Sequence, residues 1–510
     1  TDCDFSGNQA DNGAGCSFLL VGQQEALVED CTFENNHAQN EAGSFHIRSN
    51  GVSIRECTIS KDSATGNYAS IKVEDISSYH IDYCTFRDFS CGNDIFRFYT
   101  PETGKDISFN FNDFDNITSA SSHGALGLNL RLRDHFIING GKITRCNSTS
   151  NSELSQAQIV IDNIGNQYYK EAGVGFNDVN KITHLKLDSV EFDERNITTS
   201  SPGARAIYVE NGKNRYLKLR LESCIFKNFN LPTVVGSALW LDLNDCCYIN
   251  NCSFDNFICG NVFSFPRMVR CYQDGKLIEN CNFTNIAVTP TSDDEEQDIS
   301  PNGIIYFKKM EVFIIRGCRF ISCSSSDADK PRPALKFLTD MNTARIQNCY
   351  FERNGPNVKG SSILYETTGN LFIEITNCTF INNGDTTKSD VTDIAINGEN
   401  TNSTIIINNC TVNPNHRITN KKPVAIKLNA NRITFEYNII EDTISFNDED
   451  GICGLSISGT TDTSIQYNVF RNTHSVAFLY ENPKDQDTIT CMHNIWDNCR
   501  QTAVSDYNKC

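Results

Sequence analysis

One short phrase, Cys-X-Phe-X-Asn, recurs along the chain and constrains its fold more than any other feature. It reads Cys31-Thr32-Phe33-Glu34-Asn35 early on, then Cys224-Ile225-Phe226-Lys227-Asn228 and Cys252-Ser253-Phe254-Asp255-Asn256. Further copies are Cys281-Asn282-Phe283-Thr284-Asn285 and Cys378-Thr379-Phe380-Ile381-Asn382. Anchored on the Cys slot, copies start at Cys3, Cys31, Cys57, Cys84, Asn112, Gly141, Val190, Cys224, Cys252, Cys281, Cys318, Cys349, Cys378, Cys410, Asn438, Asn468 and Asn494. The spacing averages about 31 residues. A fixed period in the range of roughly 20–50 residues marks a repeat architecture, whose units bury their apolar faces only by stacking.

Two slots define a strand. Two residues after the anchor the side chain is always apolar: Phe in most copies, otherwise Ile59, Ile143, Val412, Ile440 or Trp496. Period-2 alternation puts anchor and Phe on one buried face. Two residues further on, Asn is frequent, and Asn tolerates the left-handed backbone that turns a corner. Asn228, Asn256, Asn285 and Asn382 are the candidate corner ladder, in which stacked amides hydrogen-bond coil to coil. Strand-like runs precede each anchor, such as Ile394 to Asn397 and Thr404 to Ile407, and no useful helical periodicity appears.

The expected fold is therefore all-β, a right-handed parallel β-helix solenoid of about seventeen coils with three short strands per coil. It forms a single domain over 1–510, with insertions near 148–181, 287–303 and 324–333. A leucine-rich repeat would show Leu in several fixed slots, and a propeller blade needs four strands over about 40 residues.

Phrases such as Phe33-Glu34-Asn35-Asn36, Phe351-Glu352-Arg353-Asn354 and Phe380-Ile381-Asn382-Asn383 resemble those of polymorphic outer-membrane-type surface proteins of bacteria and parasitic protists. The companion Gly-Gly-Ala-Ile/Leu phrase of that family has only an echo in Gly124-Ala125-Leu126. The resemblance implies a pectate-lyase-like β-helix and an adhesive role, and it transfers no catalytic residue.

The chain carries 23 cysteines. Cys224, Cys252, Cys281, Cys318, Cys349, Cys378 and Cys410 form the candidate core ladder. Stacked coils bring Cα atoms within disulfide range, so cross-coil stapling and a column of buried thiols packing as small hydrophobes both stand. Cys91, Cys259, Cys323, Cys499 and the vicinal Cys246-Cys247 lie off the ladder and are expected as disulfide partners. Sequons at Asn147, Asn196, Asn251, Asn282, Asn377, Asn402 and Asn409 are candidate glycosylation sites, whereas Asn116 sits in the corner and is expected bare. Cysteine usage and sequons point to an extracellular or cell-surface location.

Net charge is −19 and pI about 4.9, without a basic stripe, which excludes nucleic acid as a partner. No run of 18 apolar residues exists, so no membrane-spanning segment is expected. The Asp-Asp, Gly-His-Gly and Arg-Ile-Lys phrases of pectin-cleaving β-helices are not present in family order; Asp293-Asp294 falls in an insertion and His123-Gly124 stands alone. Asn447-Asp448-Glu449-Asp450-Gly451 and Asp327-Ala328-Asp329 offer oxygen ligands for calcium but lack the twelve-residue loop pattern. The histidines, among them His46, His80, His135, His184 and His493, are scattered over different coils. No cofactor is expected.

The resulting expectation is a secreted or cell-surface structural or adhesive β-helix, possible partners being a glycan or host-surface ligand. Repeat phrases reach both ends of the chain, so either caps lie outside it or copies self-associate head to tail through the terminal coils as a filament. The alternative is a polysaccharide-binding or polysaccharide-cleaving protein, which aligned exposed aromatics or a carboxylate cluster on one face would favour.

Overall fold

The computed structural model describes residues 1–11, 18–21, 25–39, 43–64, 71–74, 78–91, 96–99, 106–119, 126–129, 135–148, 157–162, 183–194, 205–210, 217–232, 236–241, 247–265, 276–289, 303–307, 310–325, 333–338, 341–355, 362–367, 369–383, 392–398, 402–414, 416–418, 424–445, 453–473, 476–481 and 488–499. They form two compact units, Thr1–Phe254 and Asp255–Cys510. Among the described residues there are strands and no helix. Each unit is a parallel β-solenoid. Counted by their Cys-X-Phe strands among the described residues, the first unit by itself has nine coils and the second eight.

In the first unit, Thr32–Glu34 pairs in parallel with Asp4–Ser6 before it and Thr58–Ser60 after it. Gly51–Arg55 pairs in the same way with Glu25–Glu29 and Ser78–Asp82. A further sheet takes one strand per coil, as where Ile71–Glu74 lies between Phe45–Arg48 and Phe96–Tyr99. The second unit repeats the plan. Thr379–Ile381 lies between Tyr350–Glu352 and Thr411–Asn413, and Ile394–Gly398 between Ile363–Thr367 and Val424–Asn429. Within 148–181, Ala157–Asp162 is a strand that pairs with Leu126–Asn129 and Arg205–Glu210.

Alternation explains the core. Each Phe-slot residue pairs with the Phe slot of the next coil, so rings stack along the interior. In the first unit Phe5–Phe33, Phe86–Phe114 and Phe192–Phe226 have centroids 5.0, 4.9 and 4.6 Å apart. In the second, Phe283, Phe320, Phe351 and Phe380 form one continuous stack at 4.7, 4.9 and 4.7 Å. These rings, Phe5 apart, are buried. Isoleucines of the strand before each anchor, such as Ile373, Ile375, Ile405 and Ile407, are buried and pair coil to coil in the same way.

Two left-handed corners flank the Cys-X-Phe strand. The second follows the Phe slot and holds Asn35, Lys61, Asp88, Asn116, Arg145 and Asn228 in the first unit, with Asn256, Asn285, Ser322, Arg353, Asn382, Asp442, Asn472 and Asn498 in the second, all at φ 52–63°. The first corner immediately precedes the anchor. It holds Asp30, Glu56, Tyr83, Phe111, Ser189, Ser223 and Asn251, then Asn280, Asn348, Asn377, Asn409, Tyr437, Tyr467 and His493. Asn, Asp and His tolerate positive φ, but Glu56, Tyr83, Phe111, Ser189, Ser223, Tyr437 and Tyr467 do not favour it on their own, so at those coils the corner is imposed by the pairing on either side of it.

Candidate functional site

The residue just inside each corner has the same surroundings in coil after coil. At the first corner this is the anchor. Its Sγ–H lies within reach of two carbonyls, the nearer one two residues back in its own strand (Arg55 for Cys57 at 3.1 Å, Asp82 for Cys84 at 3.4 Å, Glu222 for Cys224 at 3.3 Å) and the other three residues before the preceding anchor: Val28 and Ile54 at 3.7 Å, and Leu187 at 3.5 Å. In the second unit Cys318 donates to Ile278, Cys349 to Ile315, Cys378 to Ile346 and Cys410 to Ile375 at 3.5–3.8 Å. The thiols also accept: the Cys281 N–H reaches Cys318 Sγ at 3.4 Å and the Cys349 N–H reaches Cys378 Sγ at 3.5 Å.

Asparagine makes the same two bonds more tightly. Asn112 Nδ2 donates to Ile81 O at 2.7 Å while its Oδ1 accepts the Cys84 N–H at 2.8 Å. Asn438, Asn468 and Asn494 donate to Ile407, Phe435 and Ile465 at 2.8–2.9 Å and accept from the N–H of Cys410, Asn438 and Asn468 at 2.8–3.0 Å. The anchor is thus a hydrogen-bonding slot, not only a place for a small hydrophobe.

The second corner repeats the device. Asn36 Nδ2 donates to Phe5 O at 3.1 Å, and Asp62 Oδ1 accepts the Asn36 N–H at 2.7 Å. Asn354 donates to Phe320 O and Asn383 to Phe351 O, while Asn354 and Asn383 accept from the N–H of Cys323 and Asn354. Cys146, Cys323 and Cys499 occupy this slot, with Sγ–H on the carbonyls of Phe114, Phe283 and Phe470. This corrects the expectation of disulfides at Cys247, Cys259, Cys323 and Cys499, none of which forms one, nor do the ladder cysteines; Cys491, also off the ladder, is disulfide-bonded. For Cys323 and Cys499 the reason is that the sulfur already bonds a carbonyl inside the second corner. The Cys91 side chain and Cys246 lie outside the described residues. Burial pushes the Cys146, Cys318, Cys323 and Cys378 thiols up, away from the thiolate that nucleophilic chemistry requires.

Three buried carboxyls stand out. Asp62 accepts from Ser44, and Asp393 from Ser362 at 2.5 Å and Asn383 at 3.3 Å. Burial raises both, Asp393 to about 6. Glu194, also raised by burial, has one oxygen, Oε1, with no hydrogen-bond partner among the described residues.

The outer side of the corners is the exposed surface. Asn251, Asn282, Asn377, Asn402 and Asn409 are exposed. Asn409 Nδ2 donates to Asn377 Oδ1, and Asn251 to Ser223 Oγ at 3.1 Å. The Asn147 side chain and Asn196 lie outside the described residues, as do Asp293-Asp294, His123-Gly124 and both calcium-like phrases. Asn116, also exposed, donates to Asp88 at 2.6 Å, Asn228 to Asp193 at 2.8 Å and Asn285 to Asp255 at 3.1 Å. Asn256 and Asn382 share the left-handed corner conformation.

A run of rings on the first corner has no counterpart in the sequence reading. Tyr83 stacks on Phe111 at 5.3 Å, and Phe111 lies over Gly140 so closely that a Cβ there would sit 2.5 Å from its ring. In the second unit Tyr437 stacks on Tyr467 and Tyr467 on His493, each at 5.0 Å. Aromatics immediately before the anchor, in coils next to one another, were the available signal.

Among the described residues, no group of three His, Cys, Asp or Glu is placed to hold a metal ion, and no helix is long and apolar enough to cross a membrane. The chain matches no protein-family model, no curated protein and no solved structure. The class that the geometry defines is the parallel β-solenoid.

Proposed function

We propose that this chain is a secreted or cell-surface solenoid with a structural or adhesive role. The observation that carries the reading is how its surface uses charge. In the first unit Lys61 pairs with Glu34 at 2.7 Å, Lys227 with Glu191 at 2.8 Å, Lys186 with Glu222 at 3.0 Å, and Arg145 with Asp115. In the second, Arg316 pairs with Glu279, Arg345 with Glu374 at 3.2 Å and Arg471 with Asp497 at 3.2 Å. Each pair joins neighbouring coils. Acids used this way brace a surface; a glycoside-cleaving site instead keeps two carboxyls poised across a sugar. The family resemblance in the Phe-X-X-Asn phrases and the exposed sequons support the same reading, and N-linked glycans on Asn282 and Asn402 belong to the proposal.

The polysaccharide reading stays second. The aligned rings Tyr437, Tyr467 and His493 stack on one another, so both faces of Tyr467 and one face of each neighbour are closed to a sugar.

The test is exposure on intact cells. Externally added protease should degrade the protein, and glycosidase treatment should shift its mass. A protein protected inside intact cells, with no mass shift, contradicts the proposal.

A further inference from the structure

The exposed pair Tyr437 and Tyr467 sits where oxidative chemistry would join it. The two residues occupy the same corner position in adjacent coils, one residue before Asn438 and Asn468, whose amides fix the backbone of both. The Tyr467 N–H also donates to Met492 O, and the Tyr437 N–H to Gln466 O. The rings are 5.0 Å apart and 5° from parallel. They are 55% and 44% exposed, so a diffusible oxidant reaches them. On its other face Tyr467 is covered by His493 at 5.0 Å, which leaves Tyr437 as its one phenolic stacking neighbour among the described residues.

We propose that Tyr437 and Tyr467 form a site of oxidative cross-coupling that yields an intramolecular dityrosine between consecutive coils. Each phenol loses one electron and one proton to become a phenoxyl radical, whose spin lies partly on the ring carbons next to the oxygen. Parallel stacking sets those carbons opposite one another, and rotation of the exposed side chains closes the gap. A carbon–carbon bond forms. Each ring then returns to its aromatic state as the hydrogen on the joined carbon leaves as a proton and the oxygen regains one. The balance is two tyrosines to one dityrosine with two electrons and two protons released. One hydrogen peroxide, acting through a haem peroxidase, takes these up and becomes two waters. The product ties adjacent coils covalently on their outer edge, where the thiol ladder inside does not.

The first unit holds a built-in control. Tyr83 is 60% exposed and also stacked, but on Phe111, which has no phenol and forms no phenoxyl radical.

The purpose of the cross-link, hardening a surface coat, rests on the structural reading above; its chemistry does not. The experiment treats the dilute, purified full chain with a haem peroxidase and limiting hydrogen peroxide. Dityrosine fluorescence is expected. Cleavage at acidic residues such as Glu441 should leave peptides bearing 437 and 467 joined, two hydrogens lighter than their sum. Tyr437→Phe and Tyr467→Phe keep the rings stacked and should each lower the yield at least tenfold, whereas Tyr83→Phe should leave it unchanged. Coupling spread over tyrosines in proportion to exposure, or no 437–467 product while Tyr437 is otherwise oxidised, overturns the proposal. Coupling by a protein found not to be at the cell surface would sink the structural reading alone. A surface protein that fails to couple would sink the cross-link alone.

Discussion

Within the second unit, the run from Cys281 to Cys410 and the run from Asn438 to Asn494 fill one slot with different chemistry. On the cysteine rungs the sulfur stands 3.5–3.8 Å from the carbonyl below and shares its one hydrogen with the carbonyl two residues back in its own strand, at 3.3–3.5 Å. On the asparagine rungs the amide reaches the equivalent carbonyl at 2.8–2.9 Å and takes the neighbouring N–H at 2.8–3.0 Å. The backbone does not distinguish them: both follow a left-handed residue and both stand two residues before the Phe slot. The slot therefore selects a small side chain that donates one bond and accepts another. Cysteine satisfies it weakly and packs well; asparagine satisfies it strongly. Neither disulfide chemistry nor redox function is needed to explain the abundance of cysteine in this column.

The largest expected effect comes from breaking an asparagine rung. Asn438→Leu leaves the Ile407 carbonyl and the Cys410 N–H without the amide at a site that is almost fully buried. Two unsatisfied buried groups should cost about 2–5 kcal/mol. The matching change on a cysteine rung, Cys378→Val, should cost about 1–2 kcal/mol, because the thiol bonds it removes are weaker. Denaturant unfolding of both variants measures the difference, and equal losses would argue against the distinction between rungs.

Next in size is a pH effect at the buried carboxyl of Asp393. Burial holds the Asp393 carboxyl neutral up to about pH 6, against an ordinary value of 3.8. The folded chain then keeps a proton that the unfolded chain has released, so stability is highest below the ordinary value and falls as pH rises through the interval. The loss should reach about 3 kcal/mol by neutral pH. Asp393→Asn should flatten this dependence and stabilise the chain at pH 7. An unfolding midpoint that rises between pH 4 and 6 in the parent, equally in the variant, would contradict the assignment.

The smallest effect belongs to the corners. Arg353 sits at φ 54°, where neighbouring coils place asparagine or serine. Arg353→Asn should stabilise the chain by about 0.5–1 kcal/mol, less whatever its exposed pair with Glu352 contributes. Thermal unfolding tests the sign, and a lower midpoint would count against it.

The solenoid was legible because its signals are periodic and mutually consistent: the anchor, the Phe two residues on, and strand-like runs upstream all recur together. What stayed hidden was local and chemical. The first corner escaped notice because Asp30, Glu56, Tyr83, Phe111 and Ser189 share no residue preference; strand pairing on both sides sets their backbone. The anchor's hydrogen bonds were missed because cysteine reads as a hydrophobe, although Asn112, Asn438, Asn468 and Asn494 in the same slot pointed to a polar role. Cys323 and Cys499 looked like unpaired disulfide candidates because the second slot, where Asn36, Asn354 and Asn383 sit, had not been recognised as a copy of the first. The outer tyrosine stack needed registers, not composition, to emerge.

Cys410 offers the most direct test of the slot, since it lies between the two runs: it donates to Ile375 O at 3.6 Å and its N–H is taken by Asn438 at 2.9 Å. Cys410→Asn extends the asparagine run by one rung, whereas Cys410→Val keeps the size and apolar character while removing the bonds. The measurement is the unfolding free energy of both variants beside the parent under reducing conditions. The account predicts that the asparagine variant equals or exceeds the parent and that the valine variant falls below it by about 1–2 kcal/mol. A valine variant as stable as the parent, with an asparagine variant clearly weaker, would show that the slot is merely apolar and would contradict the account.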